Sequence, residues 1–550
     1  MPRTLRTILL MLLLLPACDC GEGPADQDAS VPDPHDAGSA DSTQTDITVF
    51  DIAVFDVSAA DHSALDRAAS PDSASPDSAS ADSSHADAGP LVTGWCNDNG
   101  SCDHFESCNT CPTDCGSCDI ARFTAQRARY VDISCALSGD GTVDQCAAGS
   151  GGPGRFNELQ SALDALEPGD TLFIHPGDYW RDVQPPPRDS GGIYTLTGEG
   201  TSPTTPIILT AAIPQQPPVL HSCEPPALTS CTGAALSVYG DHVIVDHLSV
   251  RGRVQVWGGS HLVMQRLECW HGWGACDGNW ACLRIESCTD CLAHHNHVHD
   301  VRDDVGTCAG GSFEPRETGL KEFSSTRAIW ELNTVRDTVR WGYDLHRNSV
   351  DTTVRFNLLQ PGGNGTGIHI DRSQNNRIYG NIVVLDQGCI DATMVNEDVG
   401  GAPHQDQIFN NTCVFSAIGI RTDAEFSSTI ENNAMVSLMA GGTEHGNVDA
   451  AGAGHSVDHN AYDDNSFYHQ GLYDTGVEHQ SLAAWQSATG YDPSSVEAPG
   501  GPCVFVDPPS DVGDTEFDLR VASGSCLTMS SSGGEVGAYG VTSCVGHDCP

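Results

Sequence analysis

Across residues 281–463 the chain repeats short apolar–polar alternations, each closed by Asn, any residue and an apolar residue. The asparagines are Asn296, Asn333, Asn357, Asn381, Asn411, Asn433 and Asn460, spaced by 37, 24, 24, 30, 22 and 27 residues. Strand-like content on such a period predicts a solenoid, in which one coil cannot bury its own core and stacking supplies it. Aligning the coils on Asn exposes a second beat ahead of it. It reads Cys282-Leu-Arg-Ile-Glu286, Gly319-Leu-Lys-Glu-Phe323, Gly342-Tyr-Asp-Leu-His346, Gly367-Ile-His-Ile-Asp371, Cys389-Ile-Asp-Ala-Thr393 and Gly419-Ile-Arg-Thr-Asp423. Strand side chains alternate faces. Leu283, Leu320, Tyr343, Ile368, Ile390 and Ile420 are therefore expected to point inward and stack. Asn at each turn can hydrogen-bond along its own column and satisfy a bend whose backbone is otherwise unpaired.

The residue after each inward one points out. Arg284, Lys321, Asp344, His369, Asp391 and Arg421 form one outward column. Glu286, Phe323, His346, Asp371, Thr393 and Asp423 form a second, two residues on. Adjacent strands lie ~4.8 Å apart, so these side chains make a contiguous polar strip. A hydrated strand face is polar too. What singles this one out is Lys321, the only lysine in 550 residues, beside two histidines.

Upstream, Phe156, Leu159, Leu163 and Leu166 share one helical face, and Pro168-Gly169-Asp170 turns into a strand over Thr171–His175. This stretch, "FNELQSALDALEPGDTLFIHPGDYW", resembles the opening of the right-handed parallel β-helix, or pectate-lyase, fold: a capping helix, "pGDt", a strand and "pGxY". The resemblance runs through the coils to about residue 465 and resumes in "CVFVDPPSDVGDTEFDLRVASGSC" and "GEVGAYG". It implies an all-β chain with a right-handed parallel β-helix over 121–465 and a closing segment over 466–550. Chemistry in this fold is diverse, so function does not follow from it.

The first 120 residues are of another kind. Arg3 and Arg6 precede the apolar run "ILLMLLLL" and "LPAC". A charged start, a short apolar run and a small residue before the cut describe a secretory signal. "LPAC" resembles a bacterial lipoprotein cleavage box, implying a signal over 1–18, lipidation of Cys18 and a membrane-anchored, surface-facing place in the cell envelope. Residues 19–92 carry Asp on a five-residue beat with Ser and Ala between. Such a segment cannot offset its ordering entropy by burial and is expected to be a disordered tether. The region 93–120 holds Cys96, Cys102, Cys108, Cys111, Cys115 and Cys118. It resembles a short Cys-rich element of secreted bacterial proteins. In an oxidising compartment three disulfides are favoured over zinc on its two C-x2-C pairs.

Net charge is −49, and from residue 121 onward 22 basic residues still face 53 acidic ones. That argues against nucleic acid as a partner. Sixteen cysteines follow residue 121, an even set that reads as disulfides. Cys389 and Cys413 are placed to staple adjacent coils, and Cys282, Cys288 and Cys291 crowd Cys269, Cys276 and Cys308.

Three functions fit the strip. The first is β-elimination on a uronic-acid polysaccharide, which needs a base for the C5 proton, an acid for the leaving oxygen and a charge to neutralise the carboxylate. "EPRETGLKEFSS" resembles the chondroitinase-B and alginate-lyase type of β-helix enzyme. That resemblance implies Lys321 as base, Glu314 and Glu317 as Ca²⁺ ligands, and His346 or Arg347 as acid. Asp344, His369 and Asp371 complete the catalytic strip, with Arg284, Asp391, Arg421 and Phe323 for substrate. The second is glycoside hydrolysis by paired carboxylates, Asp344 with Asp371 or Asp371 with Asp391. The third is a non-catalytic, glycan-binding envelope scaffold, with Phe323, Trp330, Trp270 and Trp273 stacking on sugars. A monomer is expected in each case. Finally, "LAHHNHVHD" puts His295, His297 and His299 on one expected strand face, with Asp300, Asp303 and Asp304 close by. Three such histidines span ~13 Å, too far for one metal, though two can share one with help from another coil.

Overall fold

The computed structural model describes residues 127–180, 193–202, 205–222, 234–270, 281–301, 318–338, 340–362, 365–384, 388–393, 405–414, 418–422, 428–436, 445–450, 455–463, 466–470, 477–498, 503–509, 517–540 and 545–546. Cys18, the module Cys96–Cys118, Glu314, Glu317, Trp273, Asp303, Asp304 and Asp423 lie outside them. Among the described residues no helix is long and apolar enough to cross a membrane.

Three twelve-stranded sheets make up the body, and between its two ends successive strands of the chain go to a different sheet in turn. Through the coils each strand pairs in parallel with the strand three further on. The exceptions are the first two strands, Arg127–Val131 and Asp170–Ile174, which pair with each other, an antiparallel pair at the end of the second sheet, and a separate antiparallel hairpin, Cys503–Asp507 with Asp518–Gly524. This is a parallel β-helix of three-strand coils. The elements that matter below are α1 (Leu159–Asp164), β1 (Glu268–Trp270), β2 (Ala281–Glu286), β3 (His297–His299), β4 (Thr318–Phe323), β5 (Trp341–His346), β6 (Thr366–Asp371), β7 (Gly388–Thr393), β8 (Ile418–Thr422) and α2 (Leu482–Thr489). Strands β2 and β4–β8 are consecutive in the second sheet; β1 and β3 are neighbours in the third.

The core is the stack of inward columns. Leu283, Leu320, Tyr343, Ile368, Ile390 and Ile420 are all buried, as the alternation predicts. At the start of β4, β5 and β6 close neighbours leave room only for glycine, whereas β2 and β7 carry Cys282 and Cys389 there. A Cβ on Gly367 would sit 2.2 Å from Val383. α1 closes the N-terminal end with Phe156, Leu159, Leu163 and Leu166 buried. Gly169, at φ +83, turns the chain into Asp170–Ile174. At the other end α2 covers the stack with Leu482 and Trp485. The closing segment also folds back: Phe505, Leu519 and Val536 pack with Ile382, Val414 and Val436 on the outer face of the third sheet. Disulfides link Cys135–Cys146, Cys269–Cys282, Cys288–Cys291, Cys389–Cys413 and Cys503–Cys526.

The asparagine beat is a ladder. The residue before each Asn — His295, Leu332, Phe356, Gly380, Asn410, Asn432, His459 — has φ between +53 and +66. A left-handed non-glycine residue costs about 1–2 kcal/mol, and the bend strips backbone groups of strand partners. The Asn side chain replaces them. Asn357 Oδ1 accepts from the backbone N and the Nδ2 of Asn333, both at 2.9 Å, and its own Nδ2 donates to Trp330 O and Asn381 Oδ1. The ladder ends at Asn460, whose Nδ2 donates to Asp492.

A shorter parallel column contains one misfit. Asp406 accepts twice from Asn376 through Oδ1, at 2.8 and 2.9 Å, while buried Oδ2 makes no hydrogen bond among the described residues. Burial pushes its carboxyl up to about 7 from an ordinary 3.8. The native state therefore favours the protonated acid. That stabilisation is complete below about pH 4 and is lost as pH rises through 7. Asp406→Asn, which keeps the Oδ1 acceptor, is expected to raise the thermal midpoint at pH 8 and to leave it little changed at pH 4. An equal shift at both pH values contradicts this.

Candidate functional site

Strands β2 and β4–β8 bring the outward residues together in the predicted order. The register pairs Arg284 with Lys321, Lys321 with Asp344, Asp344 with His369, His369 with Asp391, and Asp391 with Arg421. The second column pairs Glu286 with Phe323, Phe323 with His346, and His346 with Asp371. One expectation fails in an instructive way. The strip faces away from the coil interior, yet it is not a hydrated surface: Lys321 and Asp344 are 0% exposed, Asp371 2%, His369 6% and His346 7%.

Two linked groups occupy its centre. Lys321 Nζ lies 2.5 Å from Asp344 Oδ2, and Oδ1 of the same carboxylate is 3.0 Å from His369 Nδ1. One residue pair over, His346 Nδ1 lies 2.9 Å from Asp371 Oδ2, while Asp371 Oδ1 accepts from Arg372 Nε at 3.0 Å. Both ring nitrogens of His346 are buried and make no hydrogen bond of good geometry among the described residues, so its approach to Asp371 is an ion-pair contact. Rings line this centre. Trp341 stacks on His369 with centroids 4.2 Å apart and planes 5° from parallel, and the Arg340 guanidinium sits 3.8 Å over Trp341. Phe323 packs 5.4 Å from His346. At the two ends, Arg284 pairs with Glu286 and Arg421 grips Asp391 with two bonds of 2.8 and 2.6 Å.

Electrostatics sort the roles. Burial alone would raise Asp344 and Asp371. Lys321 and the histidines hold Asp344 far below the usual carboxylate range, and His346 and Arg372 bring Asp371 down to about 2. Both are therefore ionised at neutral pH. Burial pushes the Lys321 amine down, and Arg284 adds to that; Asp344 opposes both. The balance of these leaves the amine below its ordinary value, with burial the largest cause. Within the strip, Arg284, Lys321, Arg340, Arg372 and Arg421 offset Glu286, Asp344, Asp371 and Asp391. This patch is thus close to balanced in a chain of net charge −49, which lowers the local repulsion a polyanion would meet.

Arg347 is not on the strip. It follows β5 in an exposed turn at φ +32. Trp330 is not a sugar platform either: it is fully buried, and its indole Nε1 donates to Glu322 Oε2 at 2.8 Å. Glu322 was missed. Strand alternation turns it inward beneath Lys321, where Tyr343 and Thr352 also donate to it and burial pushes its carboxyl up. Trp341, Arg340 and Arg372 were missed because they flank the aligned segments; extending these two residues upstream and one downstream would have found them.

No protein-family model matches the chain, and no curated protein matches it. Solved structures with a similar backbone path include pectate lyase Pel9A, 16% identical, spanning 76% of this chain and 96% of that one with a TM-score of 0.48. An alginate lyase from Paenibacillus sp. str. FPU-7 is 15% identical over 59% of this chain and 100% of its own, with a TM-score of 0.41. A rhamnogalacturonan lyase is 13% identical over 61% and 87%, with a TM-score of 0.38. The chemistry rests on this chain's own residues.

Proposed function

We propose that the chain is a polysaccharide lyase that cleaves a uronic-acid glycan by β-elimination at the strip. The observation that carries this reading is the His346–Asp371 dyad, with Nδ1 against the carboxylate and Nε2 uncommitted, beside the Lys321–Asp344 pair. An imidazole beside a carboxylate, with its second nitrogen uncommitted, can act as a proton carrier. In the reaction the base takes the proton from C5, the C5–H electrons form the C4=C5 double bond, and the C4–O4 bond breaks. The leaving oxygen takes up a proton, and the imidazolium just formed is in place to deliver it. The carboxylate next to C5 gains negative charge as the proton leaves. Lys321, Arg340 and Arg372 supply the positive charge to balance it. Lys321 as base would require a neutral amine, which the ionised Asp344 disfavours. Its role here is that of a fixed cation.

The hydrolytic alternative needs one carboxyl held protonated as acid. Asp344 and Asp371 are both driven towards ionisation, and Asp391 is clamped by Arg421. Calcium on Glu314 and Glu317 would lend the same neutralising charge as the cations of the strip, so assays should be run with and without it. The test is to incubate the full chain with a panel of uronate polymers and follow absorbance of the unsaturated product. Elimination is expected for at least one polymer. Release of reducing ends without that absorbance would establish hydrolysis. Binding without either would leave the scaffold reading.

A further inference from the structure

A second cluster lies on the third sheet, on strands other than those of the strip. β1 and β3 run side by side, with Glu268 opposite His297 and Trp270 opposite His299. Val298, between the histidines, is buried, so His297 and His299 share the outer face of β3. His295 does not join them, because it occupies the left-handed bend before Asn296 and stacks edge-on with His294. The carboxylate of the neighbouring coil takes its place.

One donor atom from each of Glu268, His297 and His299 lies within 4.8 Å of the others. Glu268 Oε1 and His299 Nε2 are 3.4 Å apart. Ligands bound to zinc at roughly 2.0–2.1 Å in a tetrahedron are about 3.3–3.4 Å from one another. The far atoms of two of these ligands are already held. Asp300 Oδ2 lies 2.8 Å from His299 Nδ1, which turns Nε2 toward Glu268. Ser249 Oγ donates to Glu268 Oε2 at 2.9 Å, leaving Oε1 for the cluster. Trp270 lies parallel to the His299 ring, with planes 6° apart. Metal-bound histidines are commonly fixed in this way, by a carboxylate on the second nitrogen.

We propose that Glu268, His297 and His299 form a site for a divalent ion of the zinc class. The ion bridges two consecutive coils, with its remaining position open to water. Two imidazoles and one carboxylate select such an ion over calcium or magnesium, which favour all-oxygen sites. The site is separate from the strip in both sheet and chemistry, and it stands whether or not the chain is a lyase.

The test uses the full chain, without a histidine tag and stripped of metal. Zn²⁺ is titrated by calorimetry, and bound metal is counted after dialysis. One ion per chain is expected to bind in preference to Ca²⁺ and to raise the melting midpoint. His297→Ala, His299→Ala and Glu268→Gln should each weaken it at least 10-fold, the usual scale for loss of one ligand or its support. If a histidine variant misfolds, Glu268→Gln decides alone, since it keeps the size of the side chain and its bond to Ser249. Loss of tight Zn²⁺ binding in that variant, with the fold retained by circular dichroism, supports the proposal. No tight site in the parent chain, or equal affinity in Glu268→Gln, overturns it.

Discussion

Lys321→Met is expected to lower elimination activity by at least ~10²–10³-fold, since it removes the fixed cation from the strip. It should also destabilise the fold by about 3–5 kcal/mol, because it leaves the Asp344 carboxylate buried without its ion-pair partner. The two effects can be separated. In the double variant Lys321→Met with Asp344→Leu both charges are gone, so stability should largely return while activity does not. Denaturant unfolding and product absorbance on the same preparations check this. Recovery of activity along with stability would make the pair a purely structural one, and the strip would then owe its charges to packing alone.

The second large effect concerns the ladder. Asn357→Ala removes two acceptor and two donor bonds from the middle of the stack, and leaves the backbone N of Asn333 and the carbonyl of Trp330 buried without those partners. At about 1–3 kcal/mol for each orphaned group, the loss should reach about 3–5 kcal/mol. A loss below about 1 kcal/mol in denaturant unfolding would mean that the bends are held by strand pairing and core packing instead. Asn460, at the end of the column, is bonded on one side by Asp492 and Ser495 rather than by another coil. It is the place where the ladder is handed over to the cap.

The fold was legible because a solenoid repeats its local rules. Each Asn had to follow a bend, each inward position had to be apolar, and a ruler laid on the asparagines recovered the pairing of Lys321 with Asp344 and of Asp344 with His369. What escaped were properties set between coils or between faces. Alternation turns Glu322 inward, but its donors Trp330, Tyr343 and Thr352 come from three different segments. Trp330 reads as an exposed aromatic until that carboxylate is seen inside. The burial of the strip was illegible too, since outward from a sheet is not the same as exposed. Likewise, the histidine run showed its spacing of two but not the left-handed bend that removes His295. Nor did it show the register of 29 residues that brings Glu268 alongside His297. Buried polar groups leave a periodic trace where every coil repeats them, as in the asparagine ladder, and none where a single coil carries them, as with Glu322.

The central claim is that the strip breaks a uronate polymer by elimination. The most direct test is the mass of the new chain ends released by the intact protein. The account predicts fragments in which each cut leaves one end short of a water molecule, carrying the C4=C5 double bond. Fragments in which every cut has gained a water would contradict it and assign the strip to hydrolysis.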